Sequence, residues 1–351
     1  MSYSPLQLER YKYEPKLPEV LRGDIHKIGI NPKGSTTSKS NQKELTELFP
    51  RTFGAPFIET VAGLEGAKSA SINIGVVLSG GQAPGGHNVI SGLYDALKKA
   101  NPDSKLLGFL RGPSGILENK VLELTNDIID RYRNTGGFDI IGSGRTKLET
   151  TEQFDICEDV CKLNDISALI IIGGDDSNTN GAVLAEYFKQ KNSGISVIGV
   201  PKTIDGDLKN EYIEVSFGFD TATKTYSELI GNIEKDANSA KKYWHFIKLM
   251  GRSASHIGLE CALQTHPNIA LISEEIEESH KSLTEIVLDI VNIIVKRSEL
   301  GSDYGIVLIP EGLIEFIPEM KQLISELNIL LAEHKNHFES LHTFEDQSRW
   351  I

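Results

Sequence analysis

Cysteine, methionine and tryptophan are scarce in this chain: three, three and two among 351 residues. Three cysteines cannot build a disulfide framework, and Cys157 and Cys161, at helical spacing, read as ordinary buried thiols. No apolar run approaches the ~20 residues needed to span a bilayer, so no membrane partner is expected. The start, MSYSPLQLERYKYEP, lacks the apolar core of a secretory signal. An excess of base is missing too: 36 Lys and Arg face 49 Asp and Glu, a formal charge of −13. That argues against a nucleic-acid partner, and any anionic ligand needs a locally positive site. There is no internal repeat and no low-complexity tract. These absences together leave a cytoplasmic protein as the expectation.

What is present is the material of a folded enzyme. Apolar residues make up 39% and charged residues 24%, and the length allows one large domain or two ordinary ones. Residues 1–71 are heterogeneous, with a polar stretch NPKGSTTSKSNQ and a short helical pattern KELTELF, and read as an N-terminal extension. From residue 72 short Val/Ile/Leu runs alternate with amphipathic stretches. The runs are INIGVVLS, KLLGFLR, FDII, ALIII, ISVIGV, FIKLM, NIALIS and YGIVLIP. Strands apolar on both faces and separated by helices predict parallel sheets covered on two sides. The expected fold is therefore α/β, open and doubly wound, in two lobes over 72–200 and 201–312 with a helical segment over 313–351. Ser282 followed by Glu285 predicts a capped helix whose apolar face carries Ile286, Ile290 and Ile293.

In an open α/β sheet, ligands bind beyond the carboxyl ends of the strands, and there this sequence is unusual. The first long strand runs into SGGQAPGGHN. Such a turn exposes backbone N–H groups and a helix start to an anion, although a tight turn alone would also need glycine. ALIII runs into Gly173-Gly174-Asp175-Asp176, adjacent carboxylates that suit a hard, oxygen-ligated cation or simply a helix N-terminus. ISVIGV runs into Pro201-Lys202-Thr203-Ile204-Asp205-Gly206-Asp207. A carboxylate there can take a hydroxyl proton while a lysine offsets charge on a transferring phosphoryl group. FIKLM leads to Gly251 and Arg252, YGIVLIP to Glu311, and the loop 142–147 adds Arg145 and Lys147. Glycine cradles, metal acids, a base and cations at one set of strand ends describe phosphoryl transfer to a polyhydroxy acceptor.

The ordered set GGQAPGGHN, GSGRTK, GGDDS, PKTIDGD, MGRSASH and PEG resembles the phosphofructokinases, more closely their long-chain, pyrophosphate-dependent branch. The resemblance runs from about residue 72 to 318 and implies that the two lobes are Rossmann-like, with mainly parallel sheets. It implies a reversible, glycolytic transfer from pyrophosphate to the 1-hydroxyl of fructose 6-phosphate. Gly80 and Gly81 would cradle the pyrophosphate, with Arg145 and Lys147 beside it, and Asp175 would hold Mg²⁺. Asp205 would be the base, with Thr203, Ile204 and Asp207 around the sugar. Met250, Gly251, Arg252 and Glu311 would contact fructose 6-phosphate, and Arg252 would share in the catalysis. Lys242 and Tyr243 match a segment that reaches a neighbouring subunit's site, which implies a homo-oligomer.

The donor assignment rests on Asp176 and Lys202, where ATP-using relatives carry glycine. A carboxylate ~4 Å from an α-phosphate would repel it by about 4 kcal/mol at an effective dielectric near 20, roughly a thousandfold in affinity. Lys202 would offset charge on the leaving phosphate. The sequence departs from the resemblance at its end. Family members carry a later His…Tyr-Glu-x-Arg motif for the sugar's 6-phosphate. Residues 313–351 hold His334, His337 and His342, with Arg349 as the only late arginine, and the histidines read as a polar helix face.

Overall fold

A computed structural model describes residues 3–62, 70–208, 213, 216–341 and 343–350. It divides into two compact units, Met1–Thr203 and Ile204–Ile351. In the first unit, strands β1 (Ile28–Lys33) and β2 (Phe57–Ala62) form an antiparallel pair. They are followed by β3 (Asn73–Ser79), β4 (Lys105–Phe109), β5 (Val121–Glu123), β6 (Ser143–Gly144), β7 (Ile166–Gly173) and β8 (Ser196–Pro201). These build one sheet in the order β5-β4-β3-β7-β8, with β6 paired to the end of β3. All pairings in it are parallel except β4 with β5. Central β3 is buried almost throughout, as the sequence INIGVVLS requires of a strand covered on both faces.

The core beneath this sheet gathers Val77, Phe109, Ile116, Leu169, Ile171, Leu184 and Phe188 with Cys157 and Cys161. Burial pushes both thiols up to about 12, so they are inert packing groups. The N-terminal stretch is fastened through Glu186, whose carboxylate accepts hydrogen bonds from the backbone N–H of Arg51 and Thr52.

The second unit holds β9 (Tyr243–Leu249), β10 (Ile269–Ala270) and β11 (Tyr304–Pro310), parallel, in the order β10-β11-β9. Ile230, Leu249, Ile257, Cys261, Ile306 and Leu308 form its core. The helix Leu283–Glu299 opens with the expected capping box of Ser282 and Glu285. Ile286 and Ile290 pack inward, whereas Ile293 lies 37% exposed. The region after β11 is helical, with Pro318–Glu333 the longest piece. His334 and His337 lie against the Trp350 ring, while His342 is outside the described residues.

Two expected strands are corrected. FDII is a buried loop, because the backbone N–H groups of Asp139 and Ile140 point at the His87 ring rather than at a neighbouring strand. Its apolar side chains Phe138, Ile140 and Ile141 are nonetheless buried, which is why the run looks like a strand. NIALIS pairs only over Ile269–Ala270, since Ser273 already begins the helix Ser273–Glu278.

Candidate functional site

The carboxyl ends of β3, β6, β7 and β8 converge in the first unit. Gly80 N donates to Gly144 O (2.8 Å), joining the glycine turn after β3 to the end of β6. Lys202 N donates to Gly173 O (2.8 Å), and Ser177 Oγ donates to Ser79 Oγ (2.8 Å). Lys202 itself is only 6% exposed. Its Nζ donates to Gly81 O at 2.6 Å and sits over the Phe138 ring, 5.5 Å from the centroid. A buried ammonium is thereby fixed at the floor of the turn formed by Gly80 and Gly81, where an aromatic face and a carbonyl offset its desolvation.

Around this floor lie the exposed charged groups. A Cβ built on Gly81 would stand 3.4 Å from the Arg145 guanidinium. Lys147 Nζ is 3.9 Å from the Asp176 carboxylate, whose side chain is 77% exposed. Asp175 and Asp176 open the helix Asp175–Lys191, with acids in the first turn where the helix dipole favours negative charge. Among the described residues no group of three or more His, Cys, Asp or Glu is arranged to hold a metal. Asp175, exposed at the start of its helix, offers one carboxylate, the donor type a hard, oxygen-ligated cation takes.

The second unit carries the other cluster. Asp205 is buried, and its carboxylate accepts a hydrogen bond from the backbone N–H of Arg252. Burial holds this carboxyl above the ordinary aspartate range, and the charges of Asp207 and Glu311 add to that. The Arg252 N–H and guanidinium pull the other way. Asp207 Oδ1 is buried without a hydrogen-bond partner among the described residues. The loop after β9 and the turn after β11 are pressed together: Gly312 N donates to Gly251 O (3.0 Å), and a Cβ on Gly312 would meet the Arg252 carbonyl oxygen at 1.7 Å. Only glycine fits there, which explains the Gly after Glu311.

The expected residues thus fall into three groups. Gly80, Gly81, Arg145, Lys147, Asp175, Asp176 and Lys202 lie at the strand ends of the first unit, with Thr203 its last residue. Asp205, Asp207, Gly251, Arg252 and Glu311 cluster in the second, and Met250 precedes them on an exposed turn. Ile204 is partly buried and packs against the core of the second unit. Lys242 and Tyr243 stand apart. They lie at the amino end of β9, whose seven residues span roughly 20 Å at ~3.3 Å per residue, and Arg252 follows its carboxyl end. Tyr243 is 66% exposed and holds φ at 76°, a left-handed conformation costly for an aromatic residue.

Three polar side chains that hold these loops were not singled out by residue type. His256 Nδ1 bonds Gly206 O (3.0 Å), pinning the turn after Asp205, while His87 and Asn180 fasten the loop carrying Arg145. His87 and His256 do sit inside the motifs GGQAPGGHN and MGRSASH, so their signal was position within a motif.

The sequence profile of the phosphofructokinase family matches residues 73–342. The chain is 58% identical to the pyrophosphate–fructose 6-phosphate 1-phosphotransferase of Porphyromonas gingivalis over 96% of its length and 61% of the relative's. It is 55% identical to the protein of that name from Treponema pallidum, over all of this chain and 63% of that one. It therefore spans about three fifths of the length of these relatives. Among solved structures, a pyrophosphate-dependent phosphofructokinase from Marinobacter aquaeolei superposes with a TM-score of 0.57 at 19% identity, over 73% of this chain and 65% of that one. That likeness shows the fold, mixed α/β with mainly parallel sheets.

Proposed function

From the premise that the chain belongs to the phosphofructokinase family, we propose that it transfers a phosphoryl group from pyrophosphate to the 1-hydroxyl of fructose 6-phosphate. The observation that carries the donor assignment is the buried Lys202 ammonium at the glycine turn. It stands ready to take up charge on the departing phosphate, with Arg145 and Lys147 at the rim. Asp175 would hold Mg²⁺, which supplies charge neutralisation on the phosphate oxygens when bound. Asp205 would accept the hydroxyl proton, while Arg252 and Glu311 bind the sugar phosphate. Because the leaving group is orthophosphate, the reaction runs in both directions, and the glycolytic, cytoplasmic setting follows from the substrates. No helix among the described residues is long and apolar enough to cross a membrane.

The position of Lys242 and Tyr243 supports a homo-oligomer with shared sites. A residue at the amino end of β9 cannot serve the pocket at the carboxyl end of the same strand, so these two would reach the pocket of a second copy. The strained, exposed backbone at Tyr243 fits a side chain held out for a neighbour.

Calorimetry with Mg²⁺-pyrophosphate and Mg²⁺-ATP tests the donor reading. Pyrophosphate should bind at least tenfold more tightly, and equal or reversed affinities would overturn it. The exposure of Asp176 and its partner Lys147 bring its repulsion of an α-phosphate nearer the open-water limit of about 1 kcal/mol, or about fivefold. Asp176→Gly should accordingly improve ATP binding several-fold rather than a thousandfold, as the same titration would read.

The raised carboxyl of Asp205 sets a pH limit. A base works only when deprotonated, so kcat/KM should fall as pH drops through the raised Asp205 value. The acid limb should lie above the pH at which an ordinary aspartate titrates. A pH–rate profile that stays flat down to the ordinary carboxylate range would contradict this assignment.

A further inference from the structure

The segment 136–148 has no structure of its own beyond the two-residue β6, yet it presents Arg145 and Lys147. Its backbone is held from outside at both ends. At the entry, His87 Nε2 accepts hydrogen bonds from Asp139 N (2.9 Å) and Ile140 N (3.0 Å). Its other nitrogen, Nδ1, donates to Thr135 Oγ1 (2.6 Å), which in turn donates to Tyr132 O (2.6 Å). With Nε2 accepting both N–H groups the ring is neutral and carries its proton on Nδ1; the Asp139 carboxylate oxygen Oδ1 also lies 3.0 Å from Nε2. His87 is 2% exposed, and burial lowers its pKa against the pull of the Asp139 carboxylate, which is 71% exposed to water. The Tyr132 ring meets the imidazole edge-on at 4.9 Å. The fit leaves no spare room: a Cβ on Gly86 would lie 2.3 Å from the Phe138 ring.

At the exit, Asn180 makes two bonds to one residue. Its Oδ1 accepts from Leu148 N (3.0 Å) and its Nδ2 donates to Leu148 O (3.2 Å). Asn180 belongs to the helix that Asp175 and Asp176 open, so the exit of the loop and the acids share one rigid element. Between β6, paired to the end of β3, and the Leu148 anchor run only residues 145–147. Three residues strung between two fixed points have little freedom, which lowers the ordering cost when an anion arrives.

We propose that His87 and Asn180 are positioning residues, which clamp the two ends of this loop so that Arg145 and Lys147 are preorganised beside the glycine turn for the phosphoryl donor. The proposal rests on the donor reading above for its consequence, but not for the clamp itself. Neither side chain is expected to touch the donor.

The test uses His87→Phe, which keeps an aromatic ring and removes both ring nitrogens, and Asn180→Leu, which removes both bonds to Leu148. His87→Gln serves as rescue, because its amide oxygen can take the place of Nε2. Hydrogen exchange at neutral pH should show the amides of 139–148 exchanging at least tenfold faster in the first two variants and near the wild-type rate in His87→Gln. Calorimetry should show Mg²⁺-pyrophosphate binding about tenfold weaker in the first two, with fructose 6-phosphate affinity unchanged and binding restored in the rescue. Unchanged exchange, or faster exchange with unchanged pyrophosphate affinity, overturns the proposal, as does an equal loss for both ligands. If one substitution prevents folding, the other end of the clamp still decides the matter. A wild-type chain that binds no pyrophosphate overturns the donor reading instead, and the exchange rates then judge the clamp alone.

Discussion

Asp205→Asn is expected to lower kcat by about 10²- to 10⁴-fold, the range for loss of a general base, while leaving KM for both substrates within a few-fold. The amide keeps the size of the carboxylate and can still accept the Arg252 backbone N–H, so the loop geometry survives. What disappears is the capacity to hold a proton. Stability should not fall, because burial disfavours the ionised carboxyl, with Asp207 and Glu311 adding to the cost. Steady-state kinetics with a thermal melt separate the two effects. A kcat within tenfold of wild type would contradict the role of base, and a lower melting temperature would contradict the account of its environment.

Lys202→Met should reduce kcat with pyrophosphate by about 10²- to 10³-fold, the usual cost of deleting one preorganised donor to developing charge. Methionine fills a similar volume and leaves the Phe138 contact largely intact, but the ammonium that donates to Gly81 O is gone. Lys202→Arg is not expected to rescue, since a planar guanidinium needs more room than a slot where the lysine is only 6% exposed. If Lys202→Met turns over pyrophosphate at nearly the wild-type rate and only melts earlier, the buried cation is a structural group. A stopped assay of orthophosphate release, run beside the melt, distinguishes these results.

The strand ends were legible because two independent signals coincide there. Runs such as INIGVVLS and YGIVLIP are apolar on both faces, and the residues that follow them are dense in glycine and charge. The short and irregular pieces were not. FDII has the composition of a buried strand and is buried, but the bonding that decides its conformation comes from His87, some fifty residues earlier. β1 and β2 escaped notice because a mostly exposed antiparallel pair carries little apolar pattern. For the site, sequence named the residues at the strand ends but not their environments. It could not show that Lys202 is buried and Asp176 exposed, which reverses their weight in choosing the donor. Nor could it show Tyr243 in a left-handed conformation at the far end of β9 from Arg252.

The most direct measurement is a phosphorus NMR time course on the purified chain with fructose 6-phosphate, Mg²⁺ and pyrophosphate, beside a sample containing ATP. The account predicts loss of the pyrophosphate signal with matched growth of orthophosphate and a sugar 1-phosphate, while ATP persists. Fructose 1,6-bisphosphate with orthophosphate should regenerate pyrophosphate in the reverse direction. Consumption of ATP in preference to pyrophosphate, or no turnover with either donor, would contradict it.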